Sequence, residues 1–449
     1  MPKISIIMPS LNMAQYIQEC MDSVLRQTFE DIEILNVDAG STDGTLEILN
    51  KYLAEDSRVH ILHSHKKSYG HQVNLGIEQA KGDYIGIVDT DDKIVPDMYE
   101  KLYKVALESE SDYVKGTAKG FYTLGEKETY TFPITKPFYS EEYANGVEVV
   151  PKDMPELLTT DNFLWYGLYK ADFFRQIKLN ETAGAAFQDM GALFQTQIKA
   201  KRAVYIDKLV YYYRQDNVKA SIYNPKGFGF VANEYRFAER FLYGLPLEWH
   251  TSFYRKLFHH FMDRMFSMAA SGNFWEDTFS DMKRISKKLK WANEENLLTS
   301  KDLPDEQWKD LQLLWEDPRL LYDKYYSQIL EKKNALEKVI GYLKDNSGVI
   351  FGGGKRGEFL HAQLLYRGYN NILAYCDNNV CVQEKQKNGV GIFSPEKVIK
   401  NFSGVKFIIT CKEYEEEMKQ QLLYLGIKEC DIYIYSCGID IRLFGVKLD

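Results

Sequence analysis

The chain alternates short apolar runs with longer amphipathic segments from Lys3 to Asp92, and this alternation restricts its fold more than any other feature. Strands separated by helices of this length form βαβ units, in which the strands lie parallel in one sheet and the helices cover its faces. We therefore expect an α/β fold with a mixed, mostly parallel sheet flanked by helices. The predicted strands cover residues 4–8, 32–38, 59–63 and 84–89, and the predicted helices cover residues 14–27, 43–53 and 70–80.

Polar and acidic side chains stand where three of these predicted strands end. Pro9 and Ser10 follow the first strand, Asp38 ends the second, and Asp89 ends the fourth. The carboxyl ends of parallel strands share one edge of the sheet, where open α/β sheets bind ligands, so these residues should meet in one crevice. A single Asp at a strand end is often only the N-cap of the next helix. Polar or acidic residues at the ends of three strands therefore indicate a ligand-binding site.

Three carboxylates, those of Asp89, Asp91 and Asp92, follow the apolar run 84–88 within four positions. Hard divalent cations such as Mg²⁺ and Mn²⁺ take oxygen ligands of this kind, and a bound cation would leave coordination positions for a substrate diphosphate. For Asp92 the alternative is a cap of the following helix. The run 84–92 therefore predicts a metal site at the edge of the sheet.

Net charge and apolar patterning exclude two function classes. The formal net charge of -8 argues against binding to nucleic acid, which normally needs a basic patch. No run approaches the roughly 18 consecutive apolar residues of a membrane span. We expect a cytoplasmic protein, with peripheral attachment to the inner face of the cell membrane as an open alternative. The six cysteines contain no CxxC pair, which favours free thiols over a zinc site.

A second βα pattern begins near residue 346, after the long helical segments of residues 226–345. Gly352, Gly354 and Gly357 have GxGxxG spacing after a predicted strand, and Asp377 ends the next one. This context matches the dinucleotide-binding fingerprint, in which glycines approach a pyrophosphate and the acid reaches a ribose. Only about a hundred residues remain for the domain. We therefore prefer a small structural or regulatory Rossmann-like α/β domain over residues 346–449, and NAD(P) is not an expected cofactor.

The first 220 residues resemble the inverting family 2 glycosyltransferases of the GT-A fold. The matching segments occur in the family's order and spacing at residues 4–12, 23–28, 37–45, 80–92 and 188–189. The resemblance implies a GT-A domain over residues 1–225 and transfer of one sugar from a nucleotide-diphosphate donor, with UDP-hexose or UDP-N-acetylhexosamine favoured. The acceptor would be a hydroxyl of a capsule, lipopolysaccharide or teichoic-acid type precursor, free or lipid-linked. Residues 226–345 would then bind the acceptor or mediate homo-oligomerisation.

The resemblance also implies a role for individual residues. Asp189 matches the catalytic base, and Asp91 and Asp89 match the two acids of the DxD motif that holds Mg²⁺ or Mn²⁺. Trp165, Gln188 and Arg214 match acceptor or lid positions, and Arg214 begins a segment up to Ser221 that can close over the donor. The residues that match nucleotide-sugar contacts are Pro9, Ser10, Leu11, Asp38, Asn74, Asp89 and Thr90.

One departure from the family concerns a positive charge. Where the family has Ala-Arg-Asn, this chain has Gln72-Val73-Asn74, and His71, Lys66 or Lys67 could supply the missing cation.

Two other enzyme classes remain as alternatives. A nucleotidyltransferase would ordinarily have a glycine-rich, basic loop after the first strand, which residues 9–14 lack. A bifunctional protein would use the C-terminal glycine loop for NAD(P)-linked redox chemistry.

Overall fold

The structure is a computed structural model that describes residues 1–124, 127–133, 146–160, 163–217, 219–220 and 224–438. The chain forms two compact units. The first comprises Met1–Gly120 with Phe132–Tyr322, and the second comprises Phe121–Thr131 with Asp323–Asp449. The division at residues 225 and 345 stays a prediction.

The predicted sheet is present, and most of its strands belong to the first unit. Its strands are β1 (Ile4–Ser10), β2 (Ile32–Asp38), β3 (Val59–His63), β4 (Tyr84–Ile87), β5 (Lys93–Ile94), β6 (Tyr113–Leu124), β7 (Lys127–Pro133), β8 (Val147–Val149), β9 (Gly167–Lys170) and β10 (Ala203–Arg214). Among the described residues the strand order is β3-β2-β1-β4-β9-β6-β10-β5, with β7 beside β6 and β8 beside β10. Strands β1 to β4 pair in parallel, whereas β9 is antiparallel to both β4 and β6. The expected mixed, mostly parallel N-terminal sheet is confirmed.

Helices cover the sheet and continue into a helical region. They are α1 (Ile17–Leu25), α2 (Thr45–Glu55), α3 (Tyr69–Gln79), α4 (Met98–Ser109), α5 (Ala171–Phe174), α6 (Asp189–Lys199), α7 (Gly227–Ala238), α8 (Leu247–Ala270), α9 (Phe279–Glu294), α10 (Asp305–Glu316) and α11 (Pro318–Leu343). Short 3-10 turns occupy Pro151–Asp153, Pro155–Thr159, Glu239–Leu242 and Glu276–Thr278. No helix in the described ranges combines the length and the apolarity needed to cross a membrane.

The core of the first unit has two layers because side chains alternate across β1. Ile4, Ile6 and Met8 pack into one apolar cluster, and Ile7 packs into the cluster on the opposite face. Every residue of β1 and β2 is buried, as expected for parallel strands covered on both faces. Burying each large apolar side chain contributes about 1.5–3 kcal/mol, so this sheet gives the polar loops at its edge a rigid base.

The second unit has its own sheet. Its strands are β11 (Gly348–Phe351), β12 (Ile372–Cys376), β13 (Gln386–Lys387), β14 (Val390–Phe393), β15 (Lys406–Ile409) and β16 (Ile432–Ile434), and its further helices are α12 (Lys355–Tyr366), α13 (Pro395–Asn401) and α14 (Glu415–Tyr424). The order is β13-β14-β12-β11-β15-β16, and only the pair β13 and β14 is antiparallel in the described part of the chain. This is the Rossmann-like order around a central first strand, as predicted.

Candidate active site

The parallel register brings the predicted polar residues together at one edge of the sheet. Ser10 lies opposite Asp38 across β1 and β2. β4 pairs with β1 on its other side, and the Thr90 hydroxyl donates to the Pro9 carbonyl at 2.9 Å. Leu11, which follows Ser10, is half-buried. The ends of these strands therefore lie side by side, and the predicted crevice stays a prediction.

Asp38 is buried and uses its carboxylate to shape this crevice. The Ser10 and Ser41 hydroxyls donate to one oxygen, and the backbone N–H groups of Gly40 and Ser41 donate to the other at 2.8 and 2.9 Å. Gly40 has φ +84°, a left-handed conformation that glycine adopts without strain. Asp38 thus holds the loop after β2 in place.

Asp89 lies half-buried after β4, in a tight turn closed by the bond from the Asp92 N–H to the Asp89 carbonyl at 3.0 Å. The Tyr69 hydroxyl donates to its carboxylate at 3.1 Å. Burial, followed by repulsion from the carboxylates of Asp91 and Asp189, raises the pKa of Asp89 to about 8. The three acids therefore act on one another electrostatically, as residues of one cleft would.

Asp91 and Asp92 are held by the end of β10 and by the residues that follow it. Asn217 donates to the Asp91 carboxylate at 2.7 Å, and the Tyr211 hydroxyl and the Arg214 N–H donate to Asp92 at 2.8 and 2.7 Å. Burial raises the pKa of both carboxyl groups. The idea that Asp92 caps a helix is wrong, because β5 follows it and α4 begins only at Met98. Through these two hydrogen bonds, Asp92 instead links the turn after β4 to β10.

Arg214, a predicted lid residue, is almost fully buried under the same turn. Its Nε donates to the Asp91 carbonyl at 2.6 Å, and its guanidinium also pairs with Glu19 and Asp216 and lies over the Tyr16 ring. In this conformation it supports the backbone of the acidic turn. The remainder of the predicted lid includes Val218 and Ser221, which lie outside the described residues.

Asp189 is the first residue of α6, close to the predicted helix entrance. Burial raises the pKa of its carboxyl group, while the N–H groups of the first helical turn and the amines of Lys256 and Lys115 oppose that rise. A helix N-terminus stabilises a carboxylate there. Asp189 is thus a carboxylate in a partly desolvated, positively polarised position.

Gln188 fixes the approach to α6. Its side-chain carbonyl accepts from the Ser68 hydroxyl at 3.1 Å and from the Gly70 N–H at 2.8 Å, and its amide donates to the Thr182 carbonyl at 2.9 Å. A Cβ on Gly70 would lie 2.0 Å from the Asn180 carbonyl oxygen, so only glycine fits. Gln188 therefore joins α3 to the loop before Asp189.

Glu234 of α7 contacts the N-terminal end of α6. We did not identify it as a site residue from the sequence. It accepts from the Gly191 N–H at 2.8 Å and from the Asn180 amide at 2.9 Å. Burial raises the pKa of Glu234 to about 8. A glutamate on a helical segment 43 residues further on gives no local signal of this contact.

Lys115 of β6 is fully buried near Asp189, and sequence reasoning missed it too. Its ammonium group donates to the Phe163 carbonyl at 2.7 Å and faces the rings of Tyr113, Tyr166 and Tyr169. Burial holds the pKa of Lys115 well below its usual range.

Trp165 lies in an aromatic stack beside this enclosure. Its ring is 5.1 Å from that of Phe163 and 5.5 Å from that of Tyr213, nearly parallel to both. Trp165 is 5% exposed, so most of its surface is used in packing. An acceptor contact for it stays a prediction.

The residues that replace the family's Ala-Arg-Asn bind their own chain. Gln72 donates to the carbonyls of Ser10 and Val37, at 2.8 and 2.5 Å. Asn74 donates to Glu181 at 2.9 Å, and Glu181 also pairs with Lys66 at 2.7 Å and His71 at 2.9 Å. These contacts lower the pKa of Glu181 to about 2, against the effect of burial. Lys66 and His71 are thus paired, whereas Lys67 is exposed.

Asp89 and Asp91 fit a divalent metal by the chemistry of their donors. Both offer carboxylate oxygens, the ligands that Mg²⁺ and Mn²⁺ prefer, and their mutual repulsion in a partly buried site would be offset by a cation. The described residues contain no cluster of three His, Cys, Asp or Glu side chains arranged to hold a metal. A metal here would therefore take its remaining ligands from substrate or water.

The predicted nucleotide loop of the second unit has the expected glycine geometry. Gly352 has φ +115°, a Cβ on Gly357 would lie 2.2 Å from the Gly352 carbonyl oxygen, and Gly354 has open space around it. The Gly353 N–H donates to Asp377 at 2.7 Å, and the Asn379 N–H donates to its other oxygen at 2.8 Å. Asp377 thus binds the loop itself, and nucleotide binding there stays a prediction.

Comparison with known proteins identifies the family. Residues 5–149 match the family model described as Glycosyl transferase family 2. The glycosyltransferase GlyG of Streptococcus pneumoniae serotype 4 is 31% identical over 217 residues, which are 47% of this chain and 70% of GlyG. The uncharacterized glycosyltransferase EpsJ of Bacillus subtilis is 31% identical over 227 residues, which are 48% of this chain and 62% of EpsJ.

A solved structure agrees with the fold. Residues 1–349 of S. aureus TarS, in complex with UDP-GlcNAc, match with a TM-score of 0.50 and 19% identity, over 74% of this chain and 91% of that one. At this identity the likeness supports the fold alone. Together with the identity to GlyG, it establishes that this chain belongs to the family 2 glycosyltransferases and has their GT-A fold.

Proposed function

We propose that the chain is a metal-dependent, inverting glycosyltransferase that moves one sugar from a UDP-hexose or UDP-N-acetylhexosamine to a hydroxyl of a cell-surface glycan precursor. The observation that carries this proposal is the division of one cleft into two acidic parts. Asp89 and Asp91 lie on the turn after β4, and Asp189 lies at the start of α6, near enough to raise the pKa of Asp89.

Asp189 has the environment of a general base. The acceptor hydroxyl must lose its proton as it attacks the anomeric carbon, and a carboxylate accepts a proton better as its pKa rises. Burial raises the pKa of Asp189, while the N–H groups of the helix N-terminus and the amines of Lys256 and Lys115 oppose that rise. The bonds of Gln188 and Glu234 fix the helix end that carries it.

Asp89 and Asp91 would hold Mg²⁺ or Mn²⁺, which offsets the charge that develops on a departing nucleoside diphosphate. Hydrogen bonds within the protein fix the orientation of these two carboxylates. Tyr69 holds the first carboxylate and Asn217 the second, while Arg214 and Asp92 fix the backbone of the turn. A uridine donor is favoured because the TarS structure with the similar fold contains UDP-GlcNAc.

We assign the acceptor to the capsule, lipopolysaccharide or teichoic-acid type, free or lipid-linked, and the enzyme to the cytoplasm, with peripheral attachment to the inner face of the cell membrane as the alternative. The support is the family to which the chain belongs.

The test is transfer by an Asp189→Asn variant. Purified full-length protein is incubated with a panel of nucleotide-sugars and Mn²⁺, and the released nucleoside diphosphate is measured. Loss of a general base should lower kcat by about 10²- to 10⁴-fold and leave the affinity for UDP close to that of the wild type. Asp172→Asn is the matched control, since Asp172 is a largely exposed acid that pairs with Arg175. Near-normal turnover by Asp189→Asn would remove Asp189 as the base.

A further inference from the structure

Helix α9 carries a positive charge that contrasts with the acidic balance of the chain. Its 16 residues contain five basic and two acidic side chains, whereas the whole chain has a formal net charge of -8. The basic residues are Lys283, Arg284, Lys287, Lys288 and Lys290. Charges of one sign that are concentrated on one element create a local field that the net charge of the protein does not reveal.

The inward side of α9 is apolar and already packed. Met282, Ile285 and Leu289 are buried, and their spacing of three and four residues places them on one side of the helix. The basic residues lie toward the opposite side, and the exposed ones are Lys283, Arg284, Lys287 and Lys290. Because its apolar side is occupied within the protein, α9 can offer a partner only its basic side.

Three of these cations have no carboxylate partner. Arg284 pairs with Asp281 at 2.9 Å, and Lys288 pairs with Glu239 at 2.5 Å. The cations of α9 that form no ion pair with any residue the structure describes are Lys283, Lys287 and Lys290. The exposed side of the helix thus keeps an uncompensated positive charge.

The spacing of the three lysines is unfavourable for the helix itself. Lys287 follows Lys283 by four residues and precedes Lys290 by three, so the three ammonium groups are neighbours on the helix surface. Like charges at these spacings repel and destabilise a helix. Lys283 also lies over the Phe279 ring at 4.4 Å, a contact that does not neutralise its charge. An anionic partner would relieve the repulsion.

Exposed apolar side chains accompany the lysines. Trp291, four residues after Lys287 on the same side of α9, is 39% exposed. Its ring contacts that of Tyr254 in α8, at 5.9 Å between centroids. Leu247 lies seven residues, or about 10 Å of helix, before Tyr254. Leu247 is 56% exposed, and Tyr243 in the preceding loop is 96% exposed.

This mixture of lysines and apolar side chains favours a lipid surface as the partner. Anionic headgroups attract lysines, and the boundary between headgroups and acyl chains receives tryptophan and leucine side chains. A soluble polyanion would satisfy the lysines and leave Leu247 in water.

We propose that the exposed side of α9, together with the loop before α8, binds the surface of a membrane that contains anionic lipids. Lys283, Lys287 and Lys290 pair with the headgroups, and Trp291 lies at their level. This contact supplies the peripheral attachment that we named as the alternative location. Its use in reaching a lipid-linked acceptor rests on the proposed transfer function, whereas attachment itself does not.

Co-sedimentation of the full-length protein with lipid vesicles tests the proposal. One set of vesicles contains equal parts of phosphatidylglycerol and phosphatidylcholine, and the other contains phosphatidylcholine alone. We expect binding to the anionic vesicles to exceed binding to the neutral ones about tenfold or more, and to fall steeply as salt rises from about 50 to 500 mM.

Two variants locate the contact on the protein. Lys283→Gln/Lys287→Gln/Lys290→Gln should lower the partition coefficient on anionic vesicles about 100-fold, because three charges near the surface are lost. Trp291→Ala keeps every charge and should weaken binding less. The matched control replaces Lys51, Lys81 and Lys104 by glutamine and should bind like the wild type. These three are exposed lysines on other parts of the same unit, and their replacement changes the net charge equally.

Equal binding to both kinds of vesicle, no binding to either, or an equal loss in the two triple variants would overturn the proposal. Complete displacement from anionic vesicles by heparin of equal total charge would also overturn it, because the surface would then prefer a soluble polyanion. Vesicle binding by a protein that turns over no nucleotide-sugar would keep this surface and remove the transfer function instead.

Discussion

At the scale of single residues, Asp91 and Asp92 have the same chemistry and different surroundings. Asp91 is half-buried and has one side-chain donor, Asn217, whereas Asp92 is buried with donors from Tyr211 and Arg214. Asp91→Asn should lower Mn²⁺-supported transfer by about 100-fold, because a metal ligand is lost. Its melting temperature in EDTA should equal or exceed that of the wild type, because repulsion with Asp89 is relieved.

Asp92→Asn serves as the contrasting variant. It should lower the melting temperature, because the Tyr211 hydroxyl and the Arg214 N–H lose a charged acceptor inside the protein. Calorimetric melting and Mn²⁺ titration of both variants check the pair of expectations. If Asp92→Asn lost Mn²⁺ binding and Asp91→Asn did not, the assignment of the ligands would be reversed.

The acidic residues could be predicted from the sequence, and most of their partners could not. Asp89 and Asp91 stand beside a strand signal within one short motif, so local pattern was sufficient. Their partners Tyr69, Tyr211 and Asn217 lie 20 to 126 residues away in the chain, on elements that only the folded sheet brings near. The prediction of a cap for Asp92 failed for the same reason, because the competing partner was distant.

At the scale of elements, the first turn of α6 depends on a carboxyl group from α7. Folding raises the pKa of Glu234 to about 8, so the folded protein retains a proton that the unfolded chain releases near pH 4.5. Stability should therefore fall as pH rises from 4.5 to 8, by up to about 5 kcal/mol. Glu234→Gln should show a flatter dependence, since it cannot ionise. Urea unfolding at pH 5 and pH 8 measures both, and equal slopes in the two proteins would contradict this role.

The start of α6 shows what local sequence can and cannot specify about an element. The sequence placed Asp189 at a helix entrance, and the helix begins there. The positive φ of Phe187, +64°, and the bonds of Gln188 to the start of α3 were not predictable. They result from the close approach of two segments that are distant in sequence.

At the scale of the whole molecule, the second unit should lose stability as pH falls. His361 of the second unit is buried beside the Tyr375 hydroxyl at 3.0 Å, and burial lowers its pKa to about 4. In the unfolded chain the His361 imidazole binds a proton near pH 6.5, whereas in the folded unit it stays neutral down to about pH 4. The free energy of unfolding of this unit therefore decreases as pH falls from 6.5 to 4. The loss should approach about 3 kcal/mol for this unit.

Scanning calorimetry of the full chain measures this response. The transition assigned to the second unit should move to lower temperature at pH 5, and His361→Gln should reduce that shift. A transition of the second unit that does not change between pH 7 and pH 5 would show that His361 is accessible to protons.

The saturation of Asp38 has a consequence for how a donor could be distinguished. A carboxylate has about four lone-pair sites, and the chain's own serines and main-chain N–H groups already fill them. A side chain with no free acceptor site affects a ligand only through the conformation that it imposes on neighbouring residues. In this part of the cleft, selectivity for a nucleobase would then depend on the main-chain conformation that Asp38 imposes. Relatives that share this aspartate could therefore accept different bases.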